Sequence, residues 1–132
     1  LKTADTGKLI IMTMRAASSV KSLLRLDKLF PENQQTYYRN IIADNIRMIS
    51  SQFLIQNTSK DRIVPIMEIL LPSAGILNLI REGKIPQLES LIEAGSYKGM
   101  QTFDQSIVYL YSQNILSYDD ALARLSNKKL LQ

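Results

Sequence analysis

Apolar residues recur along this chain with two periods, and each marks a different kind of element. Leu9, Ile10, Ile11 and Met12 form a near-continuous run inside Lys8 to Met14, the pattern of a strand buried on both faces in a parallel or mixed sheet. Leu1 to Gly7 ahead of it reads as the last turns of a helix closed by Gly7, which places the start of the chain inside a larger protein. The period then changes to helical. Ser18-Ser19 caps a helix through Val20 to Phe30, with Val20, Leu23, Leu24, Leu26 and Leu29 as its apolar stripe and Pro31 as its stop. A longer helix runs from Glu32 to about Ser50, with Tyr38, Ile41, Ile42, Asn45, Ile46 and Ile49 on one buried face. Tyr37 and Tyr38 read as packing residues.

Two extended segments follow, Gln52 to Gln56 and Ile63 to Leu71, joined by the polar turn from Asn57 to Arg62. Pro65 puts the second at an edge, since proline cannot donate to a ladder. Beyond them the signals are all helical. Pro72-Ser73 starts a short helix, Ser73 as N-cap, and Gly83 ends it; Ile76, Leu77, Leu79 and Ile80 cover much of its circumference. A helix this short is marginal alone in water, so its apolar side must lie against the domain's own core or a neighbouring subunit. Pro86 opens another helix that Gly95 stops. Thr102 with Gln105 forms a capping box for the next, whose inner face carries Ile107, Leu110 and Tyr111, and Ile115 to Leu122 turns into a final helix before a frayed tail from Asn127 to Gln132.

Composition narrows what these elements can do. With 132 residues, 45% hydrophobic and 21% charged, the chain is long enough for one domain with a real core. Its longest apolar runs fall far short of the roughly 18 residues that a membrane-spanning helix needs, and no signal peptide is evident. It holds neither cysteine nor histidine, which removes disulfide scaffolds, thiolate zinc sites and Cys or His nucleophile-base pairs. The net charge of +4 is spread along the chain among acids, the pattern of a solvated surface and not of a nucleic-acid footprint.

Candidate chemistry is correspondingly sparse. Thr6-Gly7-Lys8 lacks the glycine spacing of a P-loop, and Asp119-Asp120, adjacent on a helix and about 100° apart, cannot share a substrate; they suit a helix N-terminus. The position with ligand-binding logic is the carboxyl end of the first apolar run, Thr13-Met14-Arg15, because open α/β sheets collect ligands there.

Gly75-Ile76-Leu77-Asn78-Leu79-Ile80-Arg81-Glu82 resembles the AIRNLIRE motif of the type IV pilus retraction (twitching motility) ATPases, the PilT/PilU family, with six of eight positions the same. Gly75 stands where the family has Ala, and Leu77 where it has Arg. Ala4 to Leu9 and Thr13 to Ala16 resemble the family's His box, A-E-T-G-H-L and T-L-H-T, with Lys8 and Arg15 in place of both histidines. The likeness continues through Lys21, Arg25, Phe30-Pro31 and Ser51 to Ile55, through Gly99 to Gln105 (G-M-Q-T-F-D-Q), and through Ile115 to Leu122 (I-S-Y-E-D-A-L).

The resemblance implies an α/β fold: the C-terminal portion of a RecA-like P-loop NTPase core, a partial mixed sheet with helices over residues 1–71, followed by a helical subdomain over 72–132. It implies ATP and Mg2+ in the intact protein, none bound to this segment, with P-loop and Walker B residues upstream of Leu1 and no catalytic or metal-binding residue here. Lys8, Thr13 and Arg15 would sense nucleotide; a guanidinium can contact phosphate but cannot release a proton near neutral pH. Gly75, Ile76, Leu77, Asn78, Leu79, Ile80, Arg81 and Glu82 would form the motor motif. The implied assembly is a homo-hexamer acting on pilus inner-membrane platform proteins, with no nucleic acid, cytoplasmic and peripheral at the inner membrane. A short turn at Asn57 to Arg62, where the related secretion ATPases carry a four-cysteine zinc module, favours the retraction branch. The replaced histidines also fit a non-catalytic regulatory or structural paralogue of the ring.

Overall fold

The computed structural model describes residues 2–131; the expectations made for Leu1 and Gln132 lie outside them. A short helix α1 (Lys2–Asp5) turns at Gly7, and the chain then runs without regular secondary structure to a bend at Ala17 and Ser18. Two helices follow, α2 (Ser19–Asp27) and α3 (Glu32–Asn45), and then the strands β1 (Ile49–Gln56) and β2 (Ile63–Leu70). The C-terminal half consists of α4 (Ala74–Arg81), α5 (Leu88–Ala94), α6 (Phe103–Ser112) and α7 (Tyr118–Arg124), with 3₁₀ turns at Ile85–Gln87, Ser96–Lys98 and Lys128–Leu131.

The caps explain most of these boundaries. The hydroxyls of Ser18, Ser73, Thr102 and Ser117 each accept from a backbone N–H in the first turn of α2, α4, α6 and α7, and Gln105 returns the bond to Thr102 N–H, completing the capping box. α2 stops at Asp27, sooner than the apolar stripe predicts. Leu29 and Phe30 N–H bond carbonyls three residues back, which tightens the turn, and Pro31 keeps Phe30 from continuing the helix. α3 also ends early, at Asn45. There the side-chain amide donates to Ile41 O at 3.0 Å and Ile46 swings to extended geometry, which frees Ile49 and Ser50 for β1.

β1 and β2 form an antiparallel pair from Ile49↔Leu70 to Gln56↔Ile63, and this hairpin is the whole sheet among the described residues. Its turn is held by Asn57, whose Oδ1 accepts from Asp61 N–H and Arg62 N–H. The outer edge of β2 is covered: Ile69 exchanges backbone bonds with Gln101, and Met67 N–H donates to Ser106 Oγ at 3.1 Å.

The expected strand from Lys8 to Met14 is absent, and with it the mixed sheet. The run has no regular secondary structure and is laddered to nothing among the described residues, and Leu9 and Ile11 are 77% and 88% exposed. An all-apolar run signals a demand for a ladder and for cover on both faces; the described residues supply neither. The expectation of a frayed tail is also corrected. Both carboxylate oxygens of Asp104 accept from Ser126 and Asn127 N–H, and Leu131 packs on the core.

Two hydrophobic clusters hold these pieces. The first joins Leu23, Ile42, Ala43 and Leu70 to Ile76, Ile80, Ile85, Leu88, Ile92 and Met100. The second joins Ile55 and Ile66 to Ile107, Leu116, Ala121 and Leu125. Each draws on residues both before and after Leu71.

Candidate functional site

The motif residues Gly75 to Glu82 lie on α4 and its C-cap, and α4 packs along α3. Ile76 and Ile80, one turn apart, are fully buried in the first cluster, Leu77 and Leu79 are half-buried at its margin, and Gly75, Asn78 and Glu82 face solvent. This is the one-sided burial that a period of 3.6 residues dictates. The helix closes with paired bonds, Lys84 N–H to Leu79 O and Gly83 N–H to Ile80 O, with Gly83 at φ +71 in the left-handed region that favours glycine. Arg81 donates to Asp44 on α3 at 2.7 Å, and the exposed pair Lys84–Glu82 stands at 2.8 Å, its hydrogen bond raising the lysine pKa.

Gly75 offers a direct test of the local packing. A Cβ there would lie 3.3 Å from Leu91 Cδ1, the mobile end of a half-buried side chain, while alanine restricts the unfolded chain more than glycine does. Gly75→Ala is expected to stabilise the protein by about 0.5 kcal/mol in urea unfolding; a lower midpoint would mean that Leu91 cannot give way.

Two further contacts fix the helices around α4, and sequence reasoning missed both. Arg39 on α3 grips Asp27 at the end of α2 with two bonds, at 2.8 and 2.6 Å, and this hydrogen bonding raises its already high pKa against the opposing effect of burial. Glu68 on β2, only 5% exposed, accepts the backbone N–H of Ser19 at 2.6 Å, so an internal carboxylate occupies the positive end of α2. Their partners are 12 and 49 residues away, and no local pattern announces such distances.

Lys8, Thr13 and Arg15 are exposed along the irregular segment that leads into α2. Its far end is tied by Arg25, which donates to Arg15 O at 2.8 Å and leaves the Arg15 guanidinium outside that bond. No hydrogen bond or ion pair among the described residues joins these three side chains to α4, so the two groups of candidate residues remain separate.

Comparison with known proteins identifies this arrangement. The twitching motility protein of Neisseria gonorrhoeae is 31% identical over 129 residues, 98% of this chain and 34% of that protein. The type IV pilus ATPase PilU of Pseudomonas aeruginosa is 32% identical over 91% of this chain and 31% of its own length. The chain matches the PilT/PilU ATPase family. A crystal structure of the pilus retraction motor PilT with bound ADP superposes with a TM-score of 0.81 at 30% identity, over 97% of this chain and 36% of that one. No protein-family model matches the sequence. The chain thus spans about a third of the length of the curated relatives it matches. Its fold class is the α/β one expected, that of the C-terminal part of a PilT-type ATPase.

Lys8, Thr13 and Arg15 bring groups that suit phosphate, but the described residues do not make up a nucleotide site. Arg15 and Lys8 carry the charge to meet phosphate oxygens, and Thr13 carries a hydroxyl donor. The sequence has no glycine-rich loop to cradle phosphates, and no group of acids among the described residues could hold a metal ion.

Proposed function

We propose that this chain is the C-terminal part of an ATP-driven motor for type IV pilus retraction and twitching motility. In this reading the intact protein works as a homo-hexamer in the cytoplasm, peripheral to the inner membrane, against the platform proteins of the pilus, with no part for nucleic acid. The observation that carries the proposal is the match along 98% of the chain to a twitching motility protein, coupled with a motif helix that packs along α3 and buries Ile76 and Ile80 in the first cluster.

Residues up to Leu71 would complete the ATPase core, and those from Pro72 would form the helical subdomain. Arg15, with Lys8 and Thr13, would line one edge of a pocket whose phosphate loop and metal-holding acid come from the rest of the protein. ATP and Mg2+ therefore belong to the intact enzyme, and these 132 residues alone would not hydrolyse nucleotide. The helix from Gly75 to Glu82 would transmit domain motion or meet a neighbouring subunit.

The test separates the two candidate groups in the intact ATPase. Arg15→Ala removes a charge-assisted contact and is expected to weaken nucleotide binding by about tenfold or more. Arg81→Ala lies away from that edge and is expected to leave nucleotide affinity unchanged while reducing retraction. Nucleotide affinity indifferent to Arg15 would overturn the assignment of that edge.

A second reading is a regulatory or structural ring subunit that does not turn over. It draws on Lys8 and Arg15, which stand where the resemblance to the family's His box puts histidine. Hydrolysis by the unaltered protein speaks against it; turnover that emerges only with Arg15→His speaks for it.

A further inference from the structure

Arg39 belongs neither to the motif nor to the phosphate edge, yet three elements meet at its guanidinium. It sits midway along α3 and donates through Nε and Nη2 to both carboxylate oxygens of Asp27, the last residue of α2, and through Nη2 to Gln35 Oε1 at 3.1 Å. The two paired side chains are only 20% and 11% exposed. Its remaining surface lies against Gly83, just past the end of α4; a Cβ on residue 83 would run into Nη1 and lie 2.8 Å from Cζ. The missing side chain is what lets the guanidinium reach the backbone there.

Each contact has its own physical basis. A planar fork facing a carboxylate is directional, so the pair fixes orientation as well as distance. A cation at the C-terminal end of a helix faces the negative end of its dipole, so Arg39 also attracts the last turn of α4. The other charged tie between α3 and α4, Arg81 to Asp44, is 37% and 59% exposed, and solvent screens it.

We propose that Arg39 is a latch, a positioning residue that fixes the C-terminal turn of the motif helix to the end of α2, and that breaking its pair with Asp27 frees that turn while the rest of the fold stands. The second hydrophobic cluster shares no residue with the latch, so α6 and α7 keep their own support. The bearing of the latch on motion rests on the reading of α4 as a motor element; the latch itself does not.

Hydrogen exchange on the full chain, read by mass spectrometry, tests it. Asp27→Asn keeps the shape of the side chain and removes its charge, and Arg39→Lys keeps the charge and removes the fork. Either variant is expected to speed exchange of the Arg81 to Lys84 amides by about tenfold and to leave those of α6 unchanged, with the double variant no faster than the singles. Unchanged exchange at Arg81 to Lys84 would overturn the proposal. So would an equal rise at α6, which would mark the pair as general support for the fold. Failure here leaves the motor reading standing, because that reading is judged by nucleotide affinity and retraction.

Discussion

Replacing Glu68 by alanine is expected to lower stability by about 2–3 kcal/mol, a shift in melting temperature of roughly 10 °C for a domain of this size. The carboxylate lies between β2 and the first turn of α2, where it takes the N–H of Ser19; the Ser19 hydroxyl in turn stands 3.5 Å from that of Ser51 on β1. Removing it leaves a buried donor without a partner, and that donor cannot regain water without opening the contact between helix and sheet. Burying a carboxylate is itself costly, and what offsets the cost here is a short hydrogen bond aligned with the helix dipole. Glu68→Gln separates the two contributions, because it keeps an acceptor oxygen and removes the charge. It should cost clearly less than Glu68→Ala, about 1 kcal/mol. If the glutamine variant proves more stable than the native protein, the charge is a burden and the bond alone holds α2 in place.

That contact also shows where sequence reading stops. Ser18, Ser73, Thr102 and Gly83 each act within four residues of their own position, so the helices they bound could be read from the sequence. The hairpin was legible for the same reason, since Asn57 closes its turn on Asp61 and Arg62. Glu68 could not be read, because its partner is brought near only when the hairpin packs against α2. The same limit produced the two largest differences. Ile46 and Ile49 continue the helical period of α3, yet Ile49 pairs with Leu70, so a ladder with a distant strand outweighs about five more residues of helix. Leu9 to Met12 carry the pattern of a central strand, and pattern alone supplies no neighbour for the ladder. At the candidate site the outcome divides along the same line. The sequence spread four apolar residues over much of the circumference of α4, and only the fold separated buried Ile76 and Ile80 from half-buried Leu77 and Leu79 and brought Arg39, Asp27 and Asp44 around them.

Ile80→Ala is expected to cost about 3–4 kcal/mol in denaturant unfolding, with Ile76→Ala of similar size. Ile80 is 1% exposed within the first cluster, so its removal forfeits transfer energy and leaves a cavity that a close-packed core closes poorly. Leu77 sits on the same helix but at the cluster's margin, half-buried. Leu77→Arg, which restores the residue the family motif carries there, should cost no more than about 1 kcal/mol, since an arginine stem can cover the same apolar ground while its head reaches water. The order of the two effects is the informative quantity. Should Leu77→Arg prove as costly as Ile80→Ala, α4 must bury a broader face than it shows here, and position 77 would be a core position in this protein. If the order holds, the motif helix keeps its buried face through Ile76 and Ile80 and tolerates change at position 77.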